Sequence, residues 1–526
     1  MVTVSAKLRE DYWETFEIQE ADIEFLYNHL LEVETPQTPR ELVAALVKDR
    51  VQREIRSIEE QRSSGGDVYL PRESYEVGQS LVFPALDWRR GEVVDVRPGR
   101  NPDSPAFEVV RVKMDDGEHE FAADLEDHKL NHPPEIAEET ELLDPANVLD
   151  MFGGLLVERL EKGLEEHSDS VRIAGRWFPR ALLVDVNVGH LNLAEAVLDM
   201  AGGGPLSTAA LLEQVELPSE ANPKLVEFSL DLALQEDDRF DEVGPAGQVL
   251  WFLKRLEPEE VREMPRYLRY DEIEYDRDEL TSEMLALEQE LGDELSPIRK
   301  PGRPGEDTVI RLIYPHWRVG SLPLAAHTQH LFPTAYEAPR IRFLLVDGET
   351  NEKFPGWVVP EHRYVYGLRD WYEEQGLMPG SLLRLQRGEE PGEVIVSSEK
   401  QRSSRDWIRT VLVGSDGGIV YAMLKQTVTA AYDERMAIAV PDVEALDEVW
   451  RQLRKHRSPF ESIVVNNVRE LAKLNPQSHV HASELYAAVN VVRRCPPGPI
   501  LALLASRPWF VHVGHLHFRF DDSATT

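Results

Sequence analysis

The sequence predicts a multidomain α+β protein, and three observations carry that prediction. At 526 residues the chain is long enough for three or more domains of roughly 100–200 residues each. Its apolar spacing switches repeatedly between helical periodicity and short β-branched runs bounded by turn residues. Hydrophobic residues are 42% and charged residues 29%, a globular rather than a disordered composition.

Residues 1–66 read as helices, with apolar residues at helical spacing in FEIQEADIEFLYNHLLEV. Thr38-Pro39 is a Thr N-cap with proline at the first helical position, opening RELVAALVKDRVQREIRSIEEQ. SSGG at 63–66 ends that pattern. Residues 67–132 change period. VYLP, SLVFPAL, GEVVDVRPG, FEVVRVKM and HEFAADL are short strand candidates, with Gly91 and Asp116-Gly117 at turns. Five such strands suggest a small β-barrel. The pattern YEVGQSLVFPALDWRRGEVVDVRPG, then FEVVRVKMDDGEHEF, resembles the Tudor or SH3-like barrels of polymerase- and helicase-associated bacterial proteins. That resemblance implies protein or nucleic-acid binding. Residues 133–189 read as a mixed connecting region.

Residues 190–256 give three helices, LNLAEAVLDMAG, LSTAALLEQV and ANPKLVEFSLDLALQED, then two strands, RFDEVG and QVLWFL. This is the winged-helix order. Residues 458–526 repeat it with SIVVNNVRELAKL, ASELYAAVNVVRR and GPILALLASRP, then WFVHVG and LHFRF. Phe240-Asp241-Glu242-Val243-Gly244 aligns with Phe510-Val511-His512-Val513-Gly514. Both copies resemble the winged-helix family typified by the delta subunit of bacterial RNA polymerase, which implies contact with DNA or transcription proteins. In the first copy the third helix, taken to residue 238, has Lys224 as its only base against Glu227, Asp231, Glu236, Asp237 and Asp238, whereas a recognition helix normally carries bases toward phosphate. That copy is expected to bind protein or to be structural.

Residues 257–305 hold an acidic helix, LTSEMLALEQELGDEL, and a linker, SPIRKPGRPGED. Lys300-Pro301-Gly302-Arg303-Pro304 resembles half of an AT-hook, which implies Arg303 in a narrow minor groove; the alternative is a stiff spacer. Residues 306–398 read as a β-rich barrel with two short helices, LPLAAHTQHLF and LRDWYEEQGL, and a hairpin through Asp347-Gly348. Leu322-Pro323, Trp357, Tyr364, Leu368, Trp371, Leu377 and Gly380 resemble the pseudobarrel DNA-binding domain of plant B-type transcription factors and some restriction-enzyme recognition domains. The resemblance implies two DNA-gripping arms, here His316, Trp317 and Arg318, and His362 with Arg363. Arg318 and Arg363 are expected in loops. Arg340 and Arg342 share a strand face at i, i+2, and arginine can pair bidentately with guanine or phosphate. Residues 399–457 read as a small α/β region.

Charge divides the chain unevenly. Lys and Arg number 57 against 95 Asp and Glu, a formal net charge of −38. Residues 1–305 carry 32 bases against 68 acids (−36), and residues 306–526 carry 25 against 27 (−2). So acidic a surface is repelled by phosphate and anionic lipid. Nucleic acid, if bound, is expected at 306–526, and a protein partner, transcription machinery among the options, at the acidic part. No apolar run approaches the roughly 20 residues of a membrane span. The start lacks a signal core, and the single cysteine, Cys495, excludes an intrachain disulfide; a cytoplasmic location is expected. No phosphate-cradling loop, metalloprotease or nucleophile-elbow motif occurs. No catalytic residue, cofactor or metal is therefore assigned. His479, His481, His512, His515 and His517 could hold zinc or nickel, or be ordinary hydrogen-bonding wing histidines. The sequence points to a non-enzymatic bacterial accessory protein of transcription or nucleic acid. The alternative is a scaffold whose DNA-binding folds no longer meet nucleic acid.

Overall fold

The structure is a computed structural model and describes residues 11–525 other than 64–65, 84–85, 87–88, 101–105, 116, 127, 132–143, 167–168, 218–220, 298–300, 303–306, 391 and 416. The described residues form fourteen α-helices and six β-sheets, a mixed α+β chain. Two compact units result: Met1–Val184 with Ser219–Phe228, and Asp185–Pro218 with Ser229–Thr526. None of the described helices is long and apolar enough to cross a membrane.

In the first unit, helix Pro39–Ser63 opens at the expected cap. Thr38 N–H donates to Glu41 Oε2 (2.7 Å), and Glu41 N–H donates back to Thr38 Oγ1 (3.3 Å), a capping box. The preceding helix, Glu20–Val33, is tied to it by a bidentate pair from Arg50 to the buried Asp22 (2.6 and 2.7 Å). Strands Asp67–Val68, Ser80–Phe83, Arg89–Pro98, Glu108–Met114 and Gly117–Ala123 form one sheet in chain order. Its first pair is parallel and the rest antiparallel. Gly91 permits the close approach of two strands, because a Cβ there would lie 2.3 Å from Val112 Cγ1.

Two segments of the chain have the same element order. The first runs helix Val188–Met200, strand Leu206–Ser207, helix Thr208–Leu212, helix Pro223–Gln235, and strands Phe240–Glu242 and Leu250–Leu253. The second runs Phe460–Ala472, Val480–His481, Ala482–Val492, Pro497–Ser506, Phe510–Gly514 and His517–Phe520. In each sheet the last strand lies between the other two. The registers match as well: Trp251 pairs with Leu206 and Leu253 with Phe240, while Phe518 pairs with Val480 and Phe520 with Phe510. Apolar side chains two apart on the central strand, Trp251 with Leu253 and Phe518 with Phe520, thus take equivalent positions. In the first segment Trp251 Nε1 also donates to the buried Asp231 (2.9 Å).

The acidic helix is shorter than its apolar pattern suggests. It spans Ser282–Leu291 and stops at Gly292, whose φ of 60° is left-handed. Beyond it a seven-stranded sheet curls into a half-barrel. In spatial order its strands are Thr308–Arg311, Leu382–Arg387, Glu393–Ser398, Ile341–Asp347, Lys353–Val359, Tyr364–Tyr366 and Ser321–Pro323. All neighbours are antiparallel except Ile341–Asp347 with Glu393–Ser398. The hairpin through Asp347-Gly348 forms as expected.

One helix is not where the sequence places it. Residues 322–332 hold an edge strand and a single 3₁₀ turn, Gln329–Leu331, while Tyr314–Val319 is α-helical. Pro315 suits the first helical turn. Gly320 closes the helix at φ 77°, where a Cβ would lie 2.5 Å from Arg369 Cβ. Residues 399–457 supply a long antiparallel ribbon, Lys400–Val413 with Ile419–Ala430, and helix Val443–Lys455. A single apolar cluster joins Val243, Leu268 and Met284 to Ile313, Tyr421, Leu485 and Phe518.

Candidate nucleic-acid interface

The fold gives most of the expected contact residues intramolecular partners. Arg318 lies in helix Tyr314–Val319 rather than in a loop. Its guanidinium pairs with Asp447 (3.0 Å) and sits 5.3 Å above the Tyr267 ring. Arg340 immediately precedes strand Ile341–Asp347; it pairs with Asp241 and donates from Nε to Val261 O (2.9 Å). Arg342 is half-buried over Phe252 and Trp357, and burial lowers its pKa. His316 is buried, with Nδ1 2.9 Å from Ser321 Oγ and Nε2 3.2 Å from Glu294. Trp317 donates to Leu377 O (2.8 Å). His362 stacks on Tyr364 with the rings 7° from parallel. Arg363 is the exposed member of the set among the described residues. It sits at a turn, at φ 54°, and donates to Glu294 O (3.1 Å). Arg303 lies outside the described residues.

A buried charge network explains why His316 faces inward. Arg494, fully buried, donates to Asp293 (2.7 and 2.8 Å) and Glu294 (2.7 Å). Tyr486 donates to Asp293 (2.5 Å). Burial pushes the Glu294 carboxyl up, but Arg494 and His316 outweigh it and hold the group well below the usual carboxylate range.

The histidine group is only partly gathered. The His479 and His481 rings lie 4.7 and 4.9 Å from that of His517. His481 already has Nδ1 2.7 Å from Ser483 Oγ and Nε2 3.3 Å from Arg435. Burial, then Arg435 and His517, depress its pKa to about 4. His512 packs on Phe518 instead, and His515 occupies the turn at φ 49°. No three His, Cys, Asp or Glu among the described residues stand as a metal cage. Cys495 is buried, and burial raises its thiol pKa.

An exposed basic and aromatic surface lies elsewhere, on the 400–430 ribbon. Its registers pair Arg405 with Thr427, Trp407 with Lys425 and Arg409 with Met423, so these residues share one face. Ile408, Thr410 and Val428 are buried on the other. Trp407 is 61% exposed, with Lys425 Nζ 5.4 Å from its ring centre. Arg405 and Lys425 are exposed and have no carboxylate partner among the described residues. Arg409 is drawn inward by Glu484 (3.0 Å). An indole flanked by two free cations can stack a nucleobase and attract its phosphates. The sequence signal was the alternation of Arg405, Trp407 and Arg409 within KQRSSRDWIRT. Compared with known proteins, the chain matches no family model, no curated protein and no solved structure.

Proposed function

We propose that this chain is a non-enzymatic accessory protein of bacterial nucleic-acid or transcription machinery, and that its ribbon contacts single-stranded nucleic acid. The observation that carries the reading is Trp407, exposed between the unneutralised Arg405 and Lys425. It falls in the near-neutral part, 306–526, where phosphate meets the least repulsion. In this reading 67–132 is an SH3/Tudor-like barrel, 190–256 and 458–526 are winged helices, and 306–398 is a DNA-binding type of pseudobarrel. The acidic part, 1–305, meets a basic protein surface, and the protein works in the cytoplasm.

The test is a titration of the full chain against a labelled single-stranded oligonucleotide at low salt. Trp407→Ala should weaken binding by about 1–3 kcal/mol, the usual worth of one stacked base. Affinity should fall with salt at a log–log slope of about −0.7 per phosphate contacted. Absence of binding at micromolar protein, or binding indifferent to Trp407→Ala and Arg405→Glu, would remove the reading. A scaffold role is the second reading. It is favoured by the pairing of Arg318 and Arg340 with internal carboxylates, and by the net charge of −38.

A further inference from the structure

A second basic feature is concave, and its lining includes none of the ribbon residues. A cavity of about 550 Å³ within the second unit is lined from three separate stretches, 266–271, 450–463 and 492–494. Its lining includes seven arginines and one carboxylate, Asp271. Two of the arginines are neutralised, Arg266 by Asp447 (3.2 Å) and Arg451 by Glu448 (2.7 Å). Four are not. Arg269 reaches only the Met264 carbonyl (2.9 Å), Arg493 lies over the Phe460 ring (5.8 Å), and Arg454 and Arg457 have no side-chain partner among the described residues. The seventh, Arg494, is fully buried in the charge network, and its Nε–H has no hydrogen-bond partner.

The helix macrodipole accounts for Arg454 near the C-terminus of Val443–Lys455. It accounts equally for Arg493, the C-cap residue of helix Ala482–Val492, but not for Arg269, which arrives from a non-helical segment. In a chain of net charge −38, four unneutralised cations around one cavity repel each other, and an anion relieves that repulsion. Guanidinium groups match phosphate oxygens in geometry as well as charge. The remaining wall is apolar, with Trp450, Leu453, Ile463 and Val492. The volume lies within the roughly 300–1,000 Å³ of small-molecule sites. We propose that this cavity binds a nucleotide carrying two or more phosphates, with the arginines on the phosphates and the apolar wall beside the nucleoside.

Calorimetric titration of the full chain with ATP, ADP, AMP and inorganic tripolyphosphate tests this. ATP and ADP should bind, and AMP should bind at least tenfold more weakly. Arg454→Glu and Arg493→Glu should each weaken ATP binding by about tenfold or more. Arg457→Ala, at an exposed site, should also weaken it and leave the melting curve unchanged. Arg405→Glu on the ribbon should have no effect, which separates this site from the one proposed above. Tripolyphosphate binding as tightly as ATP would overturn the nucleotide assignment. No heat from any probe at millimolar concentration would overturn the site. Loss of oligonucleotide binding in Arg454→Glu, without ATP binding by the parent, would make the cavity a backbone contact and also overturn it.

Discussion

Replacing Arg494 by methionine removes a cation that touches both Asp293 and Glu294. The side chains of Arg494 and Asp293 are 0% exposed and that of Glu294 4%. The substitution deletes three bonds of 2.7–2.8 Å to the two carboxylates, and those to Asn490 Oδ1 (3.1 Å) and Cys495 O (3.2 Å). It leaves Asp293 with Tyr486 and the Leu295 N–H (2.9 Å), and Glu294 with His316 at 3.2 Å. Stranding buried carboxylates in this way costs about 3–5 kcal/mol. Urea unfolding followed by circular dichroism should show a loss of that size at neutral pH. Removing the negative charges at the same time, as Arg494→Met with Asp293→Asn and Glu294→Gln, should recover most of it, because neutral groups need no counter-ion. Acid should also narrow the gap between the single variant and the parent, since the stranded carboxylates can then take up protons. In the parent, Glu294 has its folded pKa depressed. Its contribution is complete above the ordinary carboxylate pKa and is lost as pH falls through the folded one. A single-variant loss below about 1 kcal/mol, or a triple variant no better than the single, would refute the reasoning that these groups depend on Arg494.

Three further outcomes are expected. Burial, then Glu337, Asp231 and Asp241, raise the Glu242 pKa from 4.5 to about 8, so the folded state keeps a proton the unfolded state loses and stability falls as pH rises through that window. Glu242→Gln should therefore gain on the parent between those pH values in paired melts, and a constant difference would contradict the assignment. Gly380 has φ 95°, and a Cβ there would lie 2.4 Å from Ala437 Cα; Gly380→Ala should lose more than about 1 kcal/mol, and an unchanged melting temperature would show that the 436–437 backbone yields freely. A specific protease sequence inserted at 303–306 should give halves that co-elute after cleavage, because one apolar cluster holds Met284 and Leu268 with Ile313 and Leu485; separation on a sizing column without denaturant would contradict this.

The repeated segments were legible because their signal is local. Phe240 and Phe510 each open a hairpin, and the partner strand places apolar side chains two apart, Trp251 with Leu253 and Phe518 with Phe520. The Thr38 cap was legible for the same reason, since its bond partner is three residues away. Helix Tyr314–Val319 was not. Its six residues include aromatic and β-branched types that favour strands, and its stop depends on Arg369, 49 residues later, crowding Gly320. The fate of the arginines was hidden in the same way. Arg318 finds Asp447 and Arg340 finds Asp241 across 129 and 99 residues, distances at which spacing carries no information. The cavity arginines lie in three stretches whose juxtaposition only the fold supplies.

The long reach of the Arg494 network has a consequence for synthesis. Asp293 and Glu294 leave the ribosome about 200 residues before their counter-ion. Until Arg494 and the helix before it have emerged, Asp293 lacks both Arg494 and Tyr486, and Glu294 has His316 but not its guanidinium partner. The apolar cluster that includes Tyr486, Val489 and Cys495 also lacks those members until then. The second unit therefore completes its interior only as the last part of the chain arrives, and a nascent chain halted before residue 494 leaves Asp293 and Glu294 in water.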